Sequence, residues 1–118
     1  MDWPGQIDSA REIEIETRAG DDAPVHRTTI WAVVDGDEVF VRSYRGNRGR
    51  WYREISDHPE AVVHVDGESE PVRAVPARDP QSVQRASDGY RRKYSDSSVV
   101  DSMVIDEVLP TTLRLEPR

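Results

Sequence analysis

The sequence of 118 residues contains no cysteine, which excludes disulfide bonds, thiolate catalysis and cysteine-bound metal. Hydrophobic residues make up only 36% of the chain. No apolar run approaches the ~20 residues that a membrane-spanning helix needs, and no signal peptide is recognisable. The sequence therefore predicts a soluble, cytoplasmic protein with a single domain over residues 1–118.

Lysine is nearly absent as well, since Lys93 stands alone against fifteen arginines and twenty-three acidic residues. The formal net charge is −7. This balance is typical of salt-adapted microbes with GC-rich genomes, in which surface carboxylates keep proteins hydrated and soluble. An acidic bacterial protein without salt adaptation is the alternative. In both cases we interpret the scattered acids as surface residues first and as catalytic candidates second.

The positive charge is concentrated in residues 42–53, the arginine loop, which carries five arginines and no acid. Arginine binds phosphate or carboxylate through two parallel hydrogen bonds, whereas lysine offers a hydrated point charge. Gly46 and Gly49 allow consecutive amides to turn towards an anion. A helix is predicted from Trp51, and its first-turn amides would add partial positive charge. The loop therefore predicts an anion site; a solvated loop that neutralises acidic neighbours or a second subunit is the alternative.

Aromatic residues accompany these arginines. Tyr44, Trp51 and Tyr52 supply flat faces that could cover a ring system. A phosphate joined to a planar ring is the chemical outline of a nucleotide-like cofactor. The loop composition is thus typical of a cofactor site, and it also fits a site that stacks the bases of single-stranded nucleic acid.

The hydrophobic periodicity predicts an α+β domain whose antiparallel strands curl into a small barrel. We expect the hairpin at Asp35-Gly36-Asp37 to lie at the centre of the sheet. Two prolines, Pro71 and Pro76, favour an edge strand or a bulge. Residues 1–10 are expected to form a lead-in with a turn at residues 3–5. Strands are predicted at residues 11–18, 27–34, 38–43, 61–65, 71–77 and 111–115, and helices at residues 51–58, 80–95 and 98–108.

Four segments together resemble a known superfamily: Thr17-Arg18 with Arg27-Thr28-Thr29-Ile30, the run from Val34 to Ser43, Gly49-Arg50-Trp51-Tyr52, and the run from His58 to Val65. They are similar to the split-barrel flavin-binding superfamily, which includes pyridoxamine-phosphate-oxidase-like proteins and deazaflavin-dependent reductases. The sequence looks closest to a small uncharacterised bacterial and archaeal family within it. The resemblance covers residues 13–75 well and the C-terminal third loosely.

This resemblance implies a split antiparallel β-barrel with short flanking helices, usually a homodimer with the flavin or deazaflavin between subunits. It implies that basic residues near the first loop, and a serine with a following basic residue after the hairpin, hold the cofactor phosphate. The first loop here departs from the family pattern, because Asp21 and Asp22 stand where a basic run is usual. Together with the arginine loop, the predicted cofactor-binding residues are Arg18, Arg27, Arg42, Ser43, Tyr44, Arg45, Arg50 and Trp51.

The leading hypothesis is an oxidoreductase-like protein that binds deazaflavin F420 or the flavin mononucleotide FMN. Such a cofactor carries the hydride chemistry itself, so we predict no catalytic side chain. We also predict no metal site, since the three histidines lack metal-ligand spacing. Two alternatives stay open. One is a cofactor-free barrel that binds single-stranded nucleic acid, although the net charge disfavours it. The other is a dimer whose arginine loop pairs with its partner's acids.

Overall fold

The computed structural model describes residues 3–118 and confirms the α+β prediction of a split antiparallel barrel with flanking helices. One curled sheet contains β1 (Ile13–Thr17), β2 (His26–Ile30), β3 (Ala32–Asp35), β4 (Glu38–Val41), β5 (Glu60–Val65), β6 (Glu68–Pro76) and β7 (Leu113–Pro117). The strand order is β2-β1-β5-β6-β7-β4-β3. Three helices, α1 (Trp3–Ser9), α2 (Arg50–Asp57) and α3 (Pro80–Lys93), pack around it.

Strand β1 confirms the alternation read from the sequence. Ile13, Ile15 and Thr17 are buried, whereas Glu14 and Glu16 lie on the other, half-buried face. Because successive side chains of a strand point to opposite faces, this spacing turns one face of β1 into the barrel core. The core there joins β1 to the apolar faces of β5, β6, β7 and helix α2.

The single strand predicted over residues 27–34 is two strands, broken at Trp31. Strand β2 pairs with β1 and β3 pairs with β4, so the chain crosses the split of the barrel at this tryptophan. The predicted β3–β4 hairpin is confirmed, with Gly36 at φ +65° in its turn. Its expected central position is wrong, because β3 is an edge strand. Local alternation defines a hairpin but not its neighbours in the sheet.

The edge-strand prediction for residues 71–77 is also wrong, since β6 lies between β5 and β7. Its prolines sit where one neighbour is missing. In the strand ladders Pro71 is opposite β5 alone and Pro76 opposite β7 alone, and beyond the end of β7 the Arg118 amide donates to the Pro71 carbonyl oxygen at 3.3 Å. A proline lacks the N–H that a ladder needs, and a position with one neighbour tolerates that loss.

Helices α2 and α3 agree with the predictions, and Asp79 caps α3 by accepting a hydrogen bond from the Ser82 amide at 3.0 Å. The N-terminal prediction is wrong from residue 3 onward, because α1 replaces the expected turn and buries Trp3 and Ile7. The rest of that lead-in lies outside the described residues. The helix predicted over residues 98–108 is a short 3₁₀ helix, Val100–Met103, followed by turns.

Over residues 3–118, no helix is both long enough and apolar enough to cross a membrane.

Candidate functional site

A cleft of about 560 Å³ opens at the split of the barrel, where β2 faces the chain that leaves β4. This volume lies within the range of roughly 300–1,000 Å³ that is usual for small-molecule sites. Among the residues that line it there is no Asp or Glu, so the cleft favours an anionic ligand. The lining residues are Thr28, Thr29, Ile30, Trp31, Arg42, Ser43, Tyr44, Arg45, Gly49, Arg50, Trp51, Val99 and Met103.

Six of the eight predicted cofactor-binding residues line this cleft, and Arg18 and Arg27 do not. Arg18 donates from Nη1 to the carbonyl oxygen of Asp21 at 3.1 Å, beside a separate small cleft. Arg27 forms an ion pair of 2.6 Å with Glu14 on β1. Within one chain, the fold therefore separates the first-loop arginines from the arginine loop, and their cofactor role stays a prediction.

Ser43 supplies the most informative atom of the cleft. The residue is only 1% exposed, and its amide donates to Thr111 Oγ1 at 3.0 Å. Its hydroxyl oxygen is buried and has no hydrogen-bond partner among residues 3–118. A buried polar group without a partner costs about 1–3 kcal/mol, so this hydroxyl is a candidate contact for a ligand of the cleft.

Gly49 lets the backbone pack closely against this hydroxyl. A Cβ at residue 49 would lie 2.6 Å from Ser43 Oγ, closer than two such atoms can pack. Gly49 is also the N-cap of α2, with no side-chain cap and no acid in the first turn. The first-turn N–H groups of an α-helix have no intrahelical partner and carry partial positive charge. The Ser43 hydroxyl thus lies next to a helix N-terminus that lacks a capping side chain.

The exposed arginines of the loop add full positive charge at the same place. Arg45 and Arg50 line the cleft, and Arg48 and Arg53 lie outside it. Within residues 3–118, no ion pair involves any of these four side chains. Arg45 and Arg50 are therefore free to donate to an anion in the cleft.

Arg42 has a different environment from the one its sequence position suggests. It is 1% exposed, and four of its five N–H groups donate to protein oxygens at 2.8–3.0 Å. Burial lowers the pKa of this guanidinium, and this effect is larger than the rise in pKa that the nearby Tyr90 causes. Arg42 consequently forms part of the cleft floor and holds it together.

The aromatic residues are unequally exposed. Tyr44 is 60% exposed at the rim, whereas Trp51 and Tyr52 are 6% and 8% exposed and pack edge to face. Trp31 lines the cleft and stacks on Tyr94 with ring centroids 3.9 Å apart. Only one of the three predicted stacking platforms is thus open to solvent. The sequence reading missed the cleft role of Trp31, because it depends on the crossing from β2 to β3.

None of the histidines lines the cleft, and each lies within 2.9 Å of a carboxylate. The pairs are His26 with Glu54, His58 with Asp21, and His64 with Glu16. The hydrogen bond to Asp21 raises the pKa of His58. Between residues 3 and 118, no three His, Asp or Glu side chains are grouped as metal ligands would be.

Residues 5–115 match a family described as an uncharacterized protein conserved in bacteria (DUF2255), and the chain belongs to this family. No curated protein matches the sequence.

Several solved structures share the fold. Conserved hypothetical protein Rv2991 from Mycobacterium tuberculosis has a TM-score of 0.76 and 18% identity, covering 99% of this chain and 79% of that one. HutZ from Vibrio cholerae, described as a heme storage protein, has a TM-score of 0.75 and 11% identity, covering 99% and 88%. An F420-H2 dependent reductase (FDR-A) has a TM-score of 0.71 and 12% identity, covering 90% and 94%. These structures confirm the split-barrel fold that the resemblance implied.

Proposed function

From its place in an uncharacterised split-barrel family, we propose that this protein binds the phosphate of a flavin-type cofactor in the cleft and acts as an oxidoreductase-like protein. Deazaflavin F420 and FMN are the candidate cofactors. The observation that carries the proposal is the buried, unpartnered Ser43 hydroxyl, which lies beside the N-terminus of α2 in a cleft without acids.

The donors around Ser43 suit a phosphate group. Its hydroxyl donates one hydrogen bond, and the first-turn amides of α2 offer donors of the kind that bind phosphates in many proteins. Arg45 and Arg50 add charge-assisted hydrogen bonds, which are about twice as strong as neutral ones. A haem iron finds no histidine here, because all three histidines lie elsewhere with carboxylate partners. The donor set therefore favours an oxyanion.

The apolar part of the cleft suits a ring system. Ile30, Trp31, Val99 and Met103 are the large apolar and aromatic residues of the cleft lining apart from Tyr44 and Trp51. These residues would exclude water from a bound ring, and Tyr44 would cover it at the rim. A bound flavin-type cofactor would supply hydride transfer, so the chain needs only to anchor, orient and shield it.

We also propose that the protein works as a homodimer. Tyr44 and Val99 are 60% and 45% exposed at the cleft, and a second subunit would cover them. Large apolar side chains grouped in the open are typical of interaction sites. Sedimentation velocity should give a dimer, and a monomer that binds cofactor in full would overturn this part of the proposal.

Fluorescence titration of the apoprotein with FMN and with F420 tests the phosphate site. Arg45→Ala removes a charge-assisted contact of roughly 1.5–3 kcal/mol, so the affinity should fall about ten- to a hundredfold. Arg45→Lys should recover only part of this loss, because an ammonium keeps the charge but not the planar fork. The fold should survive, since the Arg45 side chain is exposed.

Two controls separate the phosphate site from a general charge effect. Arg48→Ala removes the same charge from the same loop outside the cleft, and should change the affinity much less. Riboflavin and a dephosphorylated deazaflavin should bind more weakly than their phosphorylated forms. Equal affinity for both members of each pair, or equal effects of the two alanine variants, would refute the proposal.

A further inference from the structure

The buried guanidinium of Arg42 has no carboxylate partner. Within residues 3–118, no ion pair includes this side chain, although it is almost fully buried next to Ser43. Its four hydrogen-bond acceptors are neutral: the hydroxyls of Ser87 and Thr112, and the carbonyl oxygens of Val83 and Met103. A buried charge without a counter-charge is costly even when its hydrogen bonds are made. An anion nearby would offset that cost.

The acceptors of Arg42 belong to the C-terminal part of the chain. The Met103 carbonyl accepts at 3.0 Å and Thr112 Oγ1 at 2.8 Å, so Arg42 binds the irregular segment from residue 99 to residue 112 at two points, one of them its C-terminal end. The neighbouring Ser43 amide donates to Thr111 Oγ1 in the same segment. We call residues 99–112 the C-terminal wall, since Val99 and Met103 line the cleft.

The C-terminal wall is packed at some positions and exposed at others, since Met103 and Val108 are buried. Val99 is 45% exposed and Ile105 is 42% exposed, and the backbone between them is held mainly by turns of three residues. Segments with exposed apolar residues and local hydrogen bonds open at a low free-energy cost. The Arg42 hydrogen bonds therefore tie the wall to the barrel together with the packing of Met103 and Val108.

We propose that an anion bound in the cleft supplies the missing counter-charge of Arg42 and thereby stabilises the C-terminal wall. The inference rests on the proposed anion site and goes beyond it, because it assigns Arg42 as a positioning residue that links ligand binding to the order of the wall. The attraction acts through a protein interior, where charges are screened much less than in water. Binding and wall closure then favour each other, as linkage requires.

Hydrogen exchange of the wild-type protein with inorganic phosphate as the probe tests this coupling without any substitution. Amides of residues 99–112 should exchange more slowly at saturating phosphate than in chloride at equal ionic strength. The turn at Asp66-Gly67, which does not line the cleft, should not change. Phosphate binding without added protection of the wall would overturn the coupling and leave the anion site intact. No phosphate binding at all would overturn both proposals.

Two variants separate charge from packing. Arg42→Lys keeps the positive charge and Arg42→Gln removes it, while both lose the planar fork of donors. Phosphate should bind about tenfold more weakly to Arg42→Gln than to Arg42→Lys, a difference of about 1.4 kcal/mol. Equal affinities would show that Arg42 acts through packing alone and would overturn the inference. If Arg42→Gln does not fold, the wild-type exchange experiment still decides.

Discussion

Two arginines of this protein, Arg85 and Arg42, are held in opposite ways. Arg85 on α3 pairs with Asp35 and Glu38 of the β3–β4 hairpin and lies 5.3 Å over the Phe40 ring. These two acids raise its pKa, whereas burial lowers the pKa of Arg42. An acid-paired arginine has its charge balanced within the chain. An arginine held by neutral oxygens leaves its charge to be balanced from outside.

The same contrast holds for larger regions. In the described chain, six of the ten arginines outside the arginine loop pair with a carboxylate, and none of the five inside it does. A chain with a net charge of −7 has acids to spare, so this separation is not a shortage of partners. The acid-paired arginines have their charge balanced within the chain, and the unpaired Arg42, Arg45 and Arg50 give the cleft its positive potential.

The largest stability effect that we expect from this comparison follows Arg85→Ala. The variant loses both ion pairs, a hydrogen bond to the Asp35 carbonyl oxygen and the contact with Phe40. Because Arg85 is only partly exposed, unfolding in urea should show a loss of about 1–2 kcal/mol. Phosphate affinity should stay unchanged, since this arginine lies outside the cleft.

Arg91→Ala is the matched control on the same helix. Arg91 lies 3.8 Å from Asp88, and both side chains are more than half exposed, so the loss should stay within about 0.5 kcal/mol. The cost of Arg85→Ala should also shrink in 1 M salt, where exposed charges are screened within about 3 Å. Equal losses for the two variants would mean that the Arg85 pairs add nothing to stability.

Much of the fold could be predicted from local patterns. The alternation from Ile13 to Thr17 and the Asp35-Gly36 hairpin turn depend on residues that are close in sequence. Sheet order could not be predicted in this way, because the break at Trp31 sends β2 and β3 to opposite edges. The missed helix α1 is held by packing of Trp3 and Ile7 rather than by its own propensity.

The candidate site was predictable in its charge but not in its geometry. The charge distribution along the sequence indicates the arginine loop, but it does not show that Arg42 is buried and that Arg45, three residues later, is exposed. That difference arises because both faces of β4 are covered, so the chain is still inside the protein when it reaches residue 42. The approach of Gly49 to Ser43 depends on how α2 packs on the barrel, which no spacing in the sequence encodes.

Lys93 gives a smaller test of the contrast between cations paired with acids and cations held by neutral oxygens, and its charge can be removed by raising the pH. Its ammonium donates to the carbonyl oxygens of Ile7 and Ala32 at 2.9 and 2.7 Å and has no carboxylate partner in the described chain. Burial lowers its pKa from 10.5 to about 8; Asp8 weakly opposes this shift and Arg11 weakly adds to it. Between these pH values the unfolded chain binds more protons than the folded one, so the stability contribution of Lys93 should rise from about pH 8 to pH 10.5.

Subtracting the free energy of unfolding of Lys93→Met from that of the wild type isolates this rise. It should reach about 1 kcal/mol, a value reduced because Lys93 is partly exposed. The rise is also limited because a neutral lysine amine still has two N–H groups for the two carbonyl oxygens. Deprotonation therefore removes the charge without removing the hydrogen bonds. Tyr94, whose pKa is raised to about 12, acts in the opposite direction above pH 10, but it does so in both proteins. Urea unfolding at pH 7, 8, 9 and 10 measures the difference. A difference that stays constant would show that the lysine charge is already well solvated, and that neutral oxygens alone can hold a cation in this fold.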